Sequence, residues 1–138
     1  MNAITPLITV DAIEPCLPFW IEALGCETIA SVPHEDALGF VMLQKGAVQL
    51  MYQSRASLDA DLGTSGAPAD LGDELSSGTA TLFVQIDDLD EVIRRIGDVE
   101  VVVPRRQTFY GMDELFVRAP CGTLVGFAAP LEEAEADG

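Results

Sequence analysis

Two stretches of this chain repeat one pattern 76 positions apart, and that repeat constrains the fold more than any other feature. Residues 7–13 read Leu-Ile-Thr-Val-Asp-Ala-Ile and residues 83–89 read Phe-Val-Gln-Ile-Asp-Asp-Leu. Each is a β-favouring run that ends on an acid and passes into a helical period. The apolar positions that follow are Ile13, Leu17, Trp20, Ile21 and Leu24 in one copy and Leu89, Val92, Ile93 and Ile96 in the other. Both sets place one apolar stripe on a helix. The starts correspond too, since Asp11-x-x-Glu14 and Asp88-x-x-Glu91 both fit a capping box. So do the stops, where Gly25 and Gly97 stand at the C-cap positions. Pro15 and Pro18 fall inside the first of these segments and predict an irregular opening turn.

Strand-like runs follow each helix. In the first half they cover 27–32, 38–44 and 47–53, with turns at Pro33-His34-Glu35-Asp36 and Lys45-Gly46. In the second they cover 99–103, 114–118 and 123–128, with turns at Tyr110-Gly111 and Pro120-Cys121-Gly122. Each half therefore reads β-α-β-β-β, and because only the first crossover needs a helix, each sheet should be mixed. The expected class is α+β. Its organisation is a first module over 1–53, a linker or flap over 54–78, a second module over 79–130 and an acidic tail over 131–138, forming one compact domain. Leu58, Leu62, Leu71 and Leu75 would pin one or two short helical turns of the 54–78 segment to the body.

Charge narrows the partners. With 7 Lys and Arg against 23 Asp and Glu, the formal net charge is −16. No phosphate-neutralising stripe can be assembled from so few cations, which excludes DNA and RNA. No apolar run reaches membrane-spanning length, and the first residues lack the basic and apolar regions of a secretory signal. The three cysteines, Cys16, Cys26 and Cys121, are an odd and widely spaced set. They are expected to be reduced thiols in a cytoplasmic protein.

Reactive constellations are sparse. His34, the chain's single histidine, lies in a turn beside Glu35 and Asp36, where a solvated surface role is expected. Cys121 has no adjacent base in view. Asp87-Asp88 is explained by helix capping, and Arg105-Arg106 reads as a surface pair that could alternatively face anionic ligand groups. There is no phosphate-cradling glycine loop, nucleophile elbow or zinc-deaminase motif.

The segment Val10-Asp11-Ala12-Ile13-Glu14, leading to Leu17-Pro18-Phe19-Trp20 and Leu24-Gly25, resembles the opening of a vicinal oxygen chelate module. Ile86-Asp87-Asp88-Leu89-Asp90 resembles the opening of the second module, and Ala119-Pro120-Cys121-Gly122-Thr123-Leu124-Val125 resembles the closing strand. That superfamily includes glyoxalase I, the bleomycin-resistance proteins and extradiol dioxygenases. The resemblance implies two β-α-β-β-β modules whose curved mixed sheets surround a central cleft. It also implies four metal-ligand positions, which fall here on Thr5, Gln49, Thr81 and Gly126. None is a carboxylate or an imidazole, so neither a metal nor any other cofactor is expected.

If Thr5 and Thr81 face the cleft, strand alternation puts Leu7, Thr9, Phe83 and Gln85 on the same side. Gln49, Met51 and Gln53 would join them from the last strand of the first module, and Leu124, Gly126 and Ala128 from the second. Phe109 and Tyr110 would add aromatic surface. The resulting expectation is a metal-free protein near the bleomycin-resistance branch. It would bind a small molecule, a drug or metabolite, through Thr5, Leu7, Thr9, Gln49, Met51, Thr81, Phe83, Gln85, Phe109, Tyr110 and Gly126, and it would be a homodimer with no catalytic residue. The alternatives are an enzyme of the same superfamily (a lyase, isomerase or dioxygenase) with an atypical or metal-independent site, and a non-catalytic accessory subunit.

Overall fold

A computed structural model describes residues 2–77 and 80–131. The chain divides into two compact units, 1–79 and 80–138. In the first, the strands β1 (Leu7–Val10), β2 (Glu27–His34), β3 (Ala37–Lys45) and β4 (Val48–Ser54) form a sheet in the order β1-β4-β3-β2. β1 runs parallel to β4 and the other pairs are antiparallel. The second repeats this with β5 (Thr81–Gln85), β6 (Glu100–Gln107), β7 (Met112–Arg118) and β8 (Leu124–Pro130) in the order β5-β8-β7-β6, again with only the first strand parallel. Both sheets are mixed, and the class is α+β.

The two crossovers differ. In the second unit the helix forms as the period predicts: α1 covers Leu89–Ile96, Asp88 Oδ1 accepts the N–H of Glu91 at 3.2 Å, and Gly97 takes a positive φ of 67° just past the end. In the first unit the expected continuous helix gives way to a 3₁₀ turn over Glu14–Cys16 and a π-helical segment over Phe19–Ala23. The expected capping box is absent. Ile13 occupies the cap position with no side-chain hydrogen bond, and the Glu14 carboxylate instead accepts the N–H of Leu38 in β3 at 2.8 Å. Pro15 and Pro18 explain the break, because neither can donate a backbone hydrogen bond into the ladder. Tertiary contacts then hold the segment. Trp20 Nε1 donates to the Tyr52 hydroxyl at 2.8 Å, with both residues buried. Ile13, Cys16, Phe19 and Trp20 are buried, as are Val41, Leu43, Leu50 and Tyr52 on one face of the sheet, and together they make the core of this unit.

The 54–78 segment holds two helices, α2 (Arg55–Gly63) and α3 (Leu71–Ser76). Ser54 caps α2 by accepting the N–H of Ser57, and Leu58 is buried. Arg55 joins the helices by reaching Asp59 at 2.9 Å and Asp73 at 2.7 Å. Of the four leucines expected to pin the segment, Leu75 stays exposed.

Several strands run past the boundaries expected from sequence. β2 continues through Pro33 to His34, so the tight turn is Glu35-Asp36, with Glu35 at a φ of 54°. His34 therefore ends a strand instead of sitting in a turn. β6 continues through Pro104 to Gln107. Both strands lie at a sheet edge and both carry register shifts, which is where a strand tolerates a proline that cannot donate to the ladder. The expected solvated tail over 132–138 lies outside the described residues.

Candidate functional site

Pairing registers decide which of the expected residues share a face, because directly opposed residues project to the same side of a sheet. In the first unit Leu7 pairs with Met51 and Thr9 with Gln53, while Phe40, Met42 and Gln44 of β3 pair with Gln53, Met51 and Gln49. Leu7, Thr9, Gln49 and Met51 thus stand together on the side away from Tyr52 and Trp20. Thr5 precedes β1 and is half-buried. Gln49 is engaged sideways, its Nε2 donating to Gln44 Oε1 at 2.6 Å.

In the second unit Thr81, Phe83 and Gln85 pair with Leu124, Gly126 and Ala128, and these in turn with Arg118, Phe116 and Glu114. Val125, Phe127, Leu115 and Val117 project to the other side, into the core beneath α1. The face away from α1 is ordered in rows. One row runs Gln85, Ala128, Glu114, Arg106, and the next runs Phe83, Gly126, Phe116, Val103. The rings of Phe83 and Phe116 lie 6.2 Å apart. Phe116 also occupies the space above Gly126, where a β-carbon would stand 2.5 Å from Phe116 Cε2.

Beside the rings lies a polar cluster that sequence reasoning missed. Glu114 has no exposed surface. Its Oε1 accepts from Arg106 Nε at 3.1 Å and Nη2 at 2.9 Å, and its Oε2 accepts from the Tyr110 hydroxyl at 2.6 Å. This hydrogen bond to Glu114 holds the Tyr110 phenol above the ordinary tyrosine range. Tyr110 thereby joins the face, whereas Phe109 beside it in the turn is fully exposed and packs edge-on against the Tyr110 ring. Arg105 and Arg106, read from sequence as one surface pair, separate. Arg105 clamps Asp90 of α1 and Asp113 of β7, and those carboxylates hold it firmly charged. Arg106 turns to the other side of the sheet. The available signal was the alternation of Met112–Arg118, which sets Glu114 in phase with Phe116 and out of phase with Leu115 and Val117.

The residues at the four positions that the resemblance assigns to a divalent metal do not fit one. They supply two hydroxyls, an amide bound to a neighbouring amide, and a glycine covered by a phenyl ring. Among the described residues, no three His, Cys, Asp or Glu side chains are grouped to hold a metal ion, and no helix is long and apolar enough to cross a membrane.

No family model and no curated protein matches the sequence. Solved structures do. A glyoxalase/bleomycin resistance protein/dioxygenase from Nocardioides is 21% identical, with a TM-score of 0.66 over 96% of this chain and 86% of its own. Lactoylglutathione lyase from Agrobacterium tumefaciens is 18% identical, with a TM-score of 0.64 over 94% of each chain. TnmS3, an antibiotic binding protein from Streptomyces sp. CB03234, is 18% identical, with a TM-score of 0.58 over 94% of this chain and 98% of its own. At such identities the likeness is one of fold, and it agrees with the fold that the resemblance implies: this chain has the fold of the glyoxalase/bleomycin resistance protein/dioxygenase structures.

Proposed function

We propose that this protein binds a small molecule without a metal, and that the ligand lies on the face of the second sheet that carries Phe83, Phe116, Gln85 and Tyr110. The observation that carries the reading is the ring of Phe116 over Gly126. At the position where the resemblance implies a ligating carboxylate, this chain has an aromatic surface. Phe83 and Tyr110 extend it, each about half exposed at 54% and 51%. Exposed aromatic rings next to a few fixed polar groups are the usual make-up of a small-molecule site. The antibiotic binding of TnmS3 supports the same reading by analogy of fold. Leu7, Thr9, Gln49 and Met51 share the corresponding face of the first sheet and, with Thr5 just before it, are proposed as ligand contacts of that unit taken by itself. A homodimer in the cytoplasm completes the reading.

A metal-independent enzyme is the second reading, favoured by the lactoylglutathione lyase likeness. Two measurements separate the two. Protein purified without chelator and analysed for metals should contain no stoichiometric divalent ion, and one equivalent per chain would overturn the metal-free reading. A thermal-shift panel of drug-like and metabolite aromatics should raise the melting temperature for a subset that is recovered chemically unchanged. Turnover of a bound compound would establish the enzyme instead.

A further inference from the structure

Arg106 differs from the other arginines in its partner. Arg55, Arg94, Arg95, Arg105 and Arg118 pair with carboxylates that keep between 21% and 80% of their side-chain surface exposed, whereas the Glu114 side chain facing Arg106 is 0% exposed. With Oε1 held by Arg106 and Oε2 by Tyr110, the buried carboxylate cannot turn, and it fixes the guanidinium in return. Nε and one Nη2 hydrogen are spent on Oε1. The end of the guanidinium, formed by Nη1 and the second Nη2 hydrogen, has no partner among the described residues, and the side chain is 57% exposed. This fork stands one row from the rings of Phe83 and Phe116 on the same face.

We propose, building on that face as the ligand site, that the ligand is a planar aromatic molecule carrying a carboxylate. Its ring lies on Phe83 and Phe116, and its carboxylate accepts from the free fork of Arg106. The planar fork matches the two oxygens of a carboxylate, and of the two guanidiniums on this face only that of Arg106 is fixed by a buried partner, Arg118 pairing through Nε with the exposed Glu100. An ammonium ligand is disfavoured, because both oxygens of Glu114 are taken and none of that carboxylate reaches the surface. The net charge of −16 opposes an anion only weakly at this point. At physiological ionic strength, charges farther than about 8 Å are largely screened, while a contact pair is not.

Isothermal titration calorimetry at 0.15 M salt with 2-naphthoate, 2-naphthamide and 2-naphthylmethylammonium holds the ring constant and changes only the charge. The naphthoate should bind about twofold to fivefold tighter than the amide, the range for a half-exposed ion pair, and the ammonium should bind weakest. In Arg106→Gln the preference for naphthoate over naphthamide should vanish. Arg106→Lys keeps a cation on Glu114 but loses the fork, so it should at least halve the preference while melting close to the parent protein. That second variant keeps the test valid if Arg106→Gln does not fold. Naphthamide or the ammonium binding as tightly as naphthoate would overturn the carboxylate assignment yet leave the ligand face standing, and so would a preference unchanged in both variants. Binding by none of the three would overturn the assignment too, with the ligand face then judged separately by the broader panel.

Discussion

At Gly126 the missing β-carbon is what lets the Phe116 ring come this close to the backbone. Adding a methyl group there places carbon 2.5 Å from Cε2, well inside van der Waals contact. Gly126→Ala should therefore cost about 1–3 kcal/mol through overpacking, measured by urea unfolding. The same change made in a Phe116→Ala background should cost far less, and a cost that stayed the same there would show the strain to lie elsewhere. The thiols make a second test at this scale. Cys16 and Cys26 are buried and Cys121 is exposed. Burial pushes the Cys26 thiol up, against a smaller opposing pull from Lys45, so less of it is thiolate at mild alkaline pH. At pH 8 a disulfide reagent should modify Cys121 promptly and the other two only as the protein unfolds. Prompt reaction of all three would contradict the buried placement of Cys16 and Cys26.

Among the elements, the two crossovers show how one sequence pattern reaches two structures. Both carry an acid and, three positions later, a glutamate, but only Asp88 caps a helix. Asp88→Ala should cost about 1 kcal/mol of stability, the usual value of an N-cap. Asp11→Ala, at an exposed position without a cap bond, should stay within about 0.5 kcal/mol. Equal losses from the two substitutions would mean that the first segment is capped after all. Glu14 has taken a long-range role, and the Leu38 N–H that it accepts holds its carboxyl below the usual range. A depressed folded-state value contributes stability above the unfolded value, and that contribution fades as pH falls through the folded one. Stability of Glu14→Gln should therefore approach that of the parent as the solution is acidified, and a gap that widened instead would reverse the sign.

Across the whole molecule, 23 acids outnumber 7 lysines and arginines, so repulsion among carboxylates outweighs the attraction within the exposed ion pairs. Raising the salt concentration from low ionic strength to 0.15 M should accordingly raise the melting temperature at pH 7, because screening relieves the larger of the two effects. A fall would mean that the ion pairs dominate. The duplicated β-α-β-β-β order, the mixed sheets and the fold were legible in the sequence, because they depend on period, turn residues and spacing, which are local properties. The same holds for the shared faces of Leu7 with Thr9 and of Phe83 with Gln85, which follow from alternation within a single strand. The broken first helix was only half legible: Pro15 and Pro18 announced the irregular opening, but the new partner of Glu14 lies 24 residues away in β3. Of the cluster of Arg106, Tyr110 and Glu114, only the side of the sheet that Glu114 takes was legible, from the alternation of its own strand, and its partners were not. They depend on a register shift in an edge strand and on a turn that folds a phenol back over its own hairpin. Sequence by itself thus determined which residues each strand turns to the same side. Tertiary structure alone decided which strands lie adjacent and in what register, and so which carboxylate is buried, which arginine it fixes and which ring fills the space over Gly126. Those are contacts between strands, and no period within one strand encodes them.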